Sequence, residues 1–311
     1  MYLKRVISII LALCMVITLV AGCGEKPDET PEDNSLGNTA QSENKVDSSS
    51  TEKKMIKNKE LIKVLVIGHS FSNNSTQYAS QMVADFGGNL EISSLYYAGC
   101  TLEQHYNFYK NNEAVFQLFT NGHQVTEEPV TSKWVLENYE YDYIAFQGHS
   151  VTMDDISTFE MLVPLYEIVK GHQPNAKFMM HQTWSLCWRR NAGRGYSGKL
   201  LGRDQFNKVE ENFKIAAERI GNVPIVPVGE AVQIAKEEYG FVNDYGKQGA
   251  IYDDEVSHLS AEGRYLAACV WAQFFYKDEI DVRQNTYSGV SGVTSDEAQK
   301  LAEAAYKAVM E

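Results

Sequence analysis

The chain reads as an α/β protein, a three-layer α/β/α sandwich around a central parallel sheet, and two features of the pattern predict it. Short β-branched or apolar runs alternate with amphipathic helical segments from about Leu61 onward. Each run is flanked by turn or polar residues, as expected of buried strands covered on both faces. Four runs read as such strands: Ile62–Ile67, Leu90–Leu95, Tyr143–Phe146 and Lys177–Met180, with Pro224–Val228 as a fifth. Helical periodicity falls between and after them, over Thr76–Phe86, Met161–Lys170, Asp204–Ile220, Val232–Tyr239, Ser260–Tyr276 and Ser295–Met310, the last with Ser295 as its N-cap. The segment Trp184–Arg203 lacks periodicity, is rich in Gly, Arg and Trp, and is expected to be a long functional loop. No internal repeat is present.

Before this domain the sequence is of another kind. Lys4 and Arg5 precede an apolar run from Val6 to Ala21, then Gly22-Cys23. A basic start, an apolar stretch too short to span a bilayer comfortably and small residues at its end make an export signal. Leu19-Val20-Ala21-Gly22-Cys23 resembles the lipobox of bacterial lipoproteins, which implies cleavage before Cys23, lipidation of that cysteine and a chain held on the outer face of a membrane. Residues 23–60 are mostly Glu, Asp, Ser, Asn, Thr and Lys with no aromatic. Such a stretch cannot bury enough apolar surface to offset its ordering entropy and is expected to be a disordered tether. The organisation expected is therefore a signal at 1–22, a lipidated tether at 23–60 and one domain at 61–311.

The whole chain has 311 residues, a formal charge of −13, a pI near 5.1 and a mean hydropathy of −0.33. Those values exclude a polytopic membrane protein and disfavour nucleic acid or other polyanions as partners. Three of the five cysteines, Cys100, Cys187 and Cys269, lie in the domain, so one internal disulfide at most is available. With no CxxC or Cys/His cluster, neither a metal site nor a cofactor is expected.

Two segments carry the chemistry. The first strand ends in Gly68-His69-Ser70-Phe71-Ser72, then Asn73 and Asn74 and a helix. A serine between strand and helix is exposed at the carboxyl end of the sheet, where a nucleophile is wanted. Far along the chain, Tyr252-Asp253-Asp254-Glu255-Val256-Ser257-His258-Leu259-Ser260 precedes a helix. Acids a few residues before a histidine allow a carboxylate to hold Nδ1 and leave Nε2 as a general base.

Together these blocks, with Tyr96-Tyr97-Ala98-Gly99-Cys100 and Gln147-Gly148-His149-Ser150 between them, resemble the SGNH, or Gly-Asp-Ser-Leu, hydrolase superfamily, in an exported branch. His69 stands where that family has Asp. The resemblance implies a flavodoxin-like fold and an acyl-enzyme on Ser70, with His258 as base and Glu255, at the family's spacing three residues before the histidine, as its orienting acid. Asp254 is a rival for that role. The resemblance also implies an oxyanion hole from the N–H groups of Ser70 and Gly99, with Gln147 replacing the family's third-block Asn. His105, His149, His181, Gln182, Trp184 and Trp188 fall where the strands' carboxyl ends are expected, and aromatic, His and Gln side chains suit a sugar ring. The expected activity is an extracellular serine esterase that deacetylates O-acetylated carbohydrate, a small molecule or polysaccharide. A lipid or thioester acyl hydrolase with the same triad and an inactive carbohydrate-binding lipoprotein are the alternatives.

Overall fold

The computed structural model describes residues 53–196, 202–284 and 289–311. The expected signal, Cys23 and the tether up to residue 52 lie outside the described residues, as do positions 197–201 of the glycine-rich segment.

A seven-stranded sheet forms the middle layer, in the order β4-β3-β2-β1-β5-β6-β7. Its parallel part is β1 (Ile62–Gly68), β2 (Leu90–Tyr96), β5 (Tyr143–Phe146), β6 (Lys177–His181) and β7 (Ile225–Val226). All five are the expected strands. The antiparallel edge, β3 (Gln117–Thr120) and β4 (His123–Gln124), is new. Its short, half-exposed residues carry no apolar run, so the hydrophobic pattern is silent there. β1 sits at the centre, and the chain leaves it toward β2 on one side and β5 on the other. Such a reversal point is where ligands meet open α/β sheets, outside the strands' carboxyl ends. Registers Gly68↔Tyr96 and Ile67↔Phe146 bring the ends of β1, β2 and β5 level.

Two sets of helices cover the sheet. One comprises α1 (Ser70–Thr76), α2 (Ala79–Asp85), α8 (Val228–Glu238), α9 (Ala261–Tyr276) and α10 (Ser295–Met310), with α9 in contact with the other four. The other includes α3 (Leu102–Lys110), α4 (Ser132–Asn138) and α5 (Leu162–His172). α7 (Arg203–Arg219) packs on α8, β6 and β7. α9 is apolar almost all round and accordingly buried over most of its length, including Trp271 and Cys269. Cys100, Cys187 and Cys269 are free thiols in the core.

Several boundaries differ from the sequence reading, each for a local reason. The helix expected over Thr76–Phe86 is two helices, and it starts at Ser70 because the polar run Ser70–Thr76 is satisfied internally. Trp271 donates to Ser75 Oγ at 2.8 Å and Thr76 Oγ1 donates to the Ser72 carbonyl at 2.9 Å. α8 begins at Val228, cutting the fifth strand to two residues. The N-cap of α10 is Thr294, not Ser295: its hydroxyl accepts from Glu297 N in a reciprocal capping box. The segment after Trp184 contains a short helix, α6 (Trp188–Gly193). Residues 53–60, assigned by composition to the tether, pack on the domain: Ile56 is buried and pairs its N–H with the Phe86 carbonyl. None of the helices among the described residues is long and apolar enough to cross a membrane.

Candidate active site

Ser70 opens α1 directly after β1. The preceding His69 is extended (φ −138°, ψ −154°) and caps the helix, its Nδ1 accepting from Phe71 N. Gly68 has no room for a side chain, since a Cβ there would lie 2.6 Å from Gln147 Oε1. The backbone turn that presents Ser70 is thus tightly set.

The other half of the site arrives from a small parallel ribbon, β8 (Val242–Tyr245) and β9 (Ala250–Tyr252), and the loop Asp253–Ser260 that follows. That loop closes on itself through the bridge between Tyr252 and Leu259 and enters α9 at Ser260, whose hydroxyl caps Gly263 N. Gly263 is required for this return, because a Cβ there would approach the Ile251 carbonyl to 2.6 Å. Leu259 N donates to Asn74 Oδ1 at 2.9 Å, fastening the loop to α1.

His258 Nε2 lies 2.8 Å from Ser70 Oγ, and Nδ1 lies 2.5 Å from Asp254 Oδ2. The other Asp254 oxygen accepts from His258 N at 3.1 Å. Partial burial works to raise the Asp254 pKa, but the hydrogen bonds and positive field of His258 outweigh it and hold the carboxyl below its usual range. Three side chains 188 residues apart at the extremes are therefore linked end to end. Such a chain lets a hydroxyl pass its proton to the imidazole while the carboxylate stabilises the resulting cation.

The carboxylate that meets His258 is that of Asp254 and not of Glu255, which is exposed and whose carbonyl accepts from Cys187 Sγ at 3.7 Å. The deciding feature is Ser257, a non-glycine residue at φ +75°. This left-handed step tightens the turn so that the carboxylate four residues before the histidine reaches Nδ1. Ser257 is held there by Trp184 Nε1, which donates to its carbonyl at 2.8 Å, and by its own Oγ accepting from Cys187 N at 2.8 Å.

The remaining residues singled out from sequence divide clearly. Trp184 is fully buried, stacked on Phe71 with ring centroids 4.4 Å apart, and Phe71 in turn meets the His258 ring edge-on. It supports the histidine loop and does not line a cleft. His105 is buried, stacked on Phe116, with Nε2 3.0 Å from the Gly68 carbonyl; burial lowers its pKa to about 4. His181 is buried against Trp271 with its pKa lowered by burial to about 3. Gln182 is buried and accepts from Glu230 N, at the start of α8. These three belong to the packing: His105 is on the buried face of α3, and His181 and Gln182 stand at the end of β6, where the covered sheet faces helices. His149 is half-buried, bonded to Thr152 and edge-on to His69. Trp188 is half-buried, beside Arg189.

Gly99 is exposed in the turn after β2, and Tyr96 at the end of that strand shares a cleft with Ser70. Gln147 is not available as an oxyanion donor. It is buried, its Oε1 takes the Ser72 hydroxyl, and its Nε2 lies 2.5 Å from His69 Nε2 and 3.1 Å from the Gly148 carbonyl. Gln147, expected as an oxyanion donor, thus serves to hold His69.

An open cleft of about 300 Å³ lies over the linked residues, lined also by Asn73, Asn74, Tyr96, Asp253 and Arg264. Sequence reasoning missed Arg264, whose guanidinium reaches Asp253 at 2.6 Å, because it sits in a helical run that reads as core. Among the described residues one group has the spacing to hold a cation, Asp253, Asp254 and His258, with ligand atoms within 4.8 Å of one another. Both His258 nitrogens are already engaged by Asp254 and Ser70.

A family model described as a domain of unknown function, DUF4886, matches residues 63–308. The fold is similar to the crystal structure of a DUF4886 family protein from Bacteroides uniformis, at 25% identity and a TM-score of 0.70, over 80% of this chain and 95% of that one. A candidate SGNH hydrolase from Slackia heliotrinireducens matches at 17% identity and a TM-score of 0.46, over 69% of this chain and 98% of that one. A member of the lipolytic G-D-S-L family from Veillonella parvula matches at 12% identity and 0.42, over 70% and 98%. No curated protein matches the chain.

Proposed function

The chain belongs to the DUF4886 family, and from its site we propose that it is a serine ester hydrolase of the SGNH type acting through Ser70, His258 and Asp254. The observation that carries this reading is the unbroken path from Ser70 Oγ to His258 Nε2 at 2.8 Å and from Nδ1 to Asp254 at 2.5 Å. Ser70 Oγ attacks the ester carbonyl as His258 takes its proton, and Asp254 stabilises the imidazolium. The N–H groups of Ser70 and Gly99 face the oxyanion. His258 then returns the proton to the leaving alcohol, and water, deprotonated by the same imidazole, releases the acid from the acyl-enzyme.

The preferred substrate is a short acyl ester of a carbohydrate. What supports it is the cleft wall: Asn, Asp, Arg and Tyr side chains around Ser70 suit hydroxyl-bearing alcohols and offer no long apolar channel for a fatty chain. Export and lipid anchoring at Cys23 fit such a role, bringing the enzyme to polysaccharide outside the cell.

Replacing Ser70 by Ala and assaying p-nitrophenyl acetate and acetylated xylan tests the reaction. Loss of both activities, with loss of fluorophosphonate labelling, is expected. Full activity in the variant overturns the triad. A Cys23→Ser variant that still partitions with membranes overturns the anchor.

A further inference from the structure

Beside the catalytic cleft lies a second cavity of about 210 Å³, between β2, β3, α1 and the start of α9. The two share Asn73, Asn74 and Arg264, so they adjoin through a common wall. Three polar atoms of its lining residues are buried and without a hydrogen-bond partner: Asn73 Oδ1, Ser94 Oγ and Arg264 Nε. Ser94 is only 1% exposed. Neighbouring groups are not in this condition. Ser93 Oγ, on the opposite face of β2, pairs with Thr120 Oγ1 at 2.9 Å, and Asn74 Oδ1 accepts from Leu259 N.

Buried polar groups in folded proteins are nearly always paired, and unpaired ones gathered in one cavity ask for a function. Arg264 adds to this. It lies in the first turn of α9, where the helix dipole disfavours a cation, and Asp253 compensates its charge at 2.6 Å. With Asp253 and Asp254 nearby, the local field does not favour an anionic ligand. What remains unmatched is one N–H donor, one amide acceptor and one hydroxyl, beside the apolar side chains of Ile92 and Phe119. A neutral ring bearing vicinal hydroxyls meets all of these, since each hydroxyl both donates and accepts.

We infer that Arg264, Asn73 and Ser94 form a subsite for the free hydroxyls of the sugar whose ester Ser70 cleaves. This rests on the esterase reading and deepens it: the site selects the alcohol part of the ester by its hydroxyls, with the acyl group held on the side of Gly99.

The test compares kcat/KM for methyl 2-O-acetyl-β-D-xylopyranoside with that for cyclohexyl acetate, an ester of the same ring size without hydroxyls. The native enzyme is expected to prefer the sugar ester by at least tenfold. Ser94→Ala and Arg264→Met are expected to cut that ratio severalfold, mainly through KM. A purely structural role for these residues would lower both rates together and leave the ratio unchanged, which overturns the inference, as does a native enzyme with no preference. Ser94→Ala, which removes an unpaired buried hydroxyl, is expected to melt no lower than the native protein. If it melts several degrees lower with an unaltered ratio, Ser94 serves packing alone and the inference fails. Ser70-dependent hydrolysis of both esters distinguishes these failures from failure of the esterase reading itself.

Discussion

The indole N–H of Trp184 donates at 2.8 Å to the carbonyl of Ser257, the residue before His258. Ser257 stands at φ +75°, a conformation that costs a non-glycine residue about 1–3 kcal/mol and persists only when its surroundings impose it. Trp184 and the N–H of Cys187 impose it here. Trp184→Phe keeps the stack on Phe71 and loses the hydrogen bond. We expect kcat for p-nitrophenyl acetate to fall about ten- to a hundredfold through misplacement of His258, with KM little changed. Ordinary steady-state kinetics checks the split.

The choice of acid follows from the same turn. Asp254→Asn removes the carboxylate on His258 Nδ1 and is expected to lower kcat by about 10²–10⁴. Glu255→Gln, changed at a solvent-facing side chain, is expected to stay within about twofold of native activity. The opposite ranking would restore Glu255 as the acid.

Three histidines beneath the site, His69, His105 and His181, are fully buried, and burial depresses the pKa of each. A histidine whose folded pKa lies below its unfolded value near 6.5 contributes no penalty above that pH. As pH falls through 6.5 the unfolded chain takes up protons that the folded state refuses. Stability is therefore lost from about pH 6.5 downward, by about 1.4 kcal/mol per pH unit for each such histidine. Urea unfolding at pH 7, 6 and 5 measures the slope. His181→Leu, which deletes an imidazole with neither nitrogen partnered, is expected to lower that slope by one histidine's share.

Lys236 has the same sign of dependence in a higher pH window. It is buried among Ser185 and Tyr252, with Nζ 2.8 Å from Ser185 Oγ, and burial lowers its pKa to about 7. Below pH 7 the folded state carries the full cost of a buried cation. That cost fades as pH rises toward the unfolded value near 10.4, so stability gains about 1.4 kcal/mol per unit over this range. Lys236→Met is expected to abolish the rise and to stabilise the protein at pH 6. Tyr252 retains its bond to the Ser185 carbonyl and Ser185 its contact with Gln233, so no polar group is stranded. Thermal melts at pH 6 and 9 decide the matter.

The sequence by itself determined the parallel α/β layers, the serine at the end of β1 and the histidine before α9. Hydrophobic periodicity and turn residues are local signals, and a buried strand or a block such as Gly68-His69-Ser70 is written in consecutive residues. The antiparallel edge of the sheet was not legible, because its strands are short and half-exposed. Tertiary structure alone decided which acid meets His258, since the turn that selects Asp254 over Glu255 is set by Trp184 and Cys187, some seventy residues away. It also decided that His105, His181, Gln182 and Trp184 are packed beneath the site and that Gln147 braces His69. Type and position along a chain cannot say which face of a covered sheet a side chain occupies once several helices compete for it. Arg264 is the converse case: it lies in a helical run that reads as core, yet the packing of α9 beside α1 puts it in the cleft wall next to Ser70.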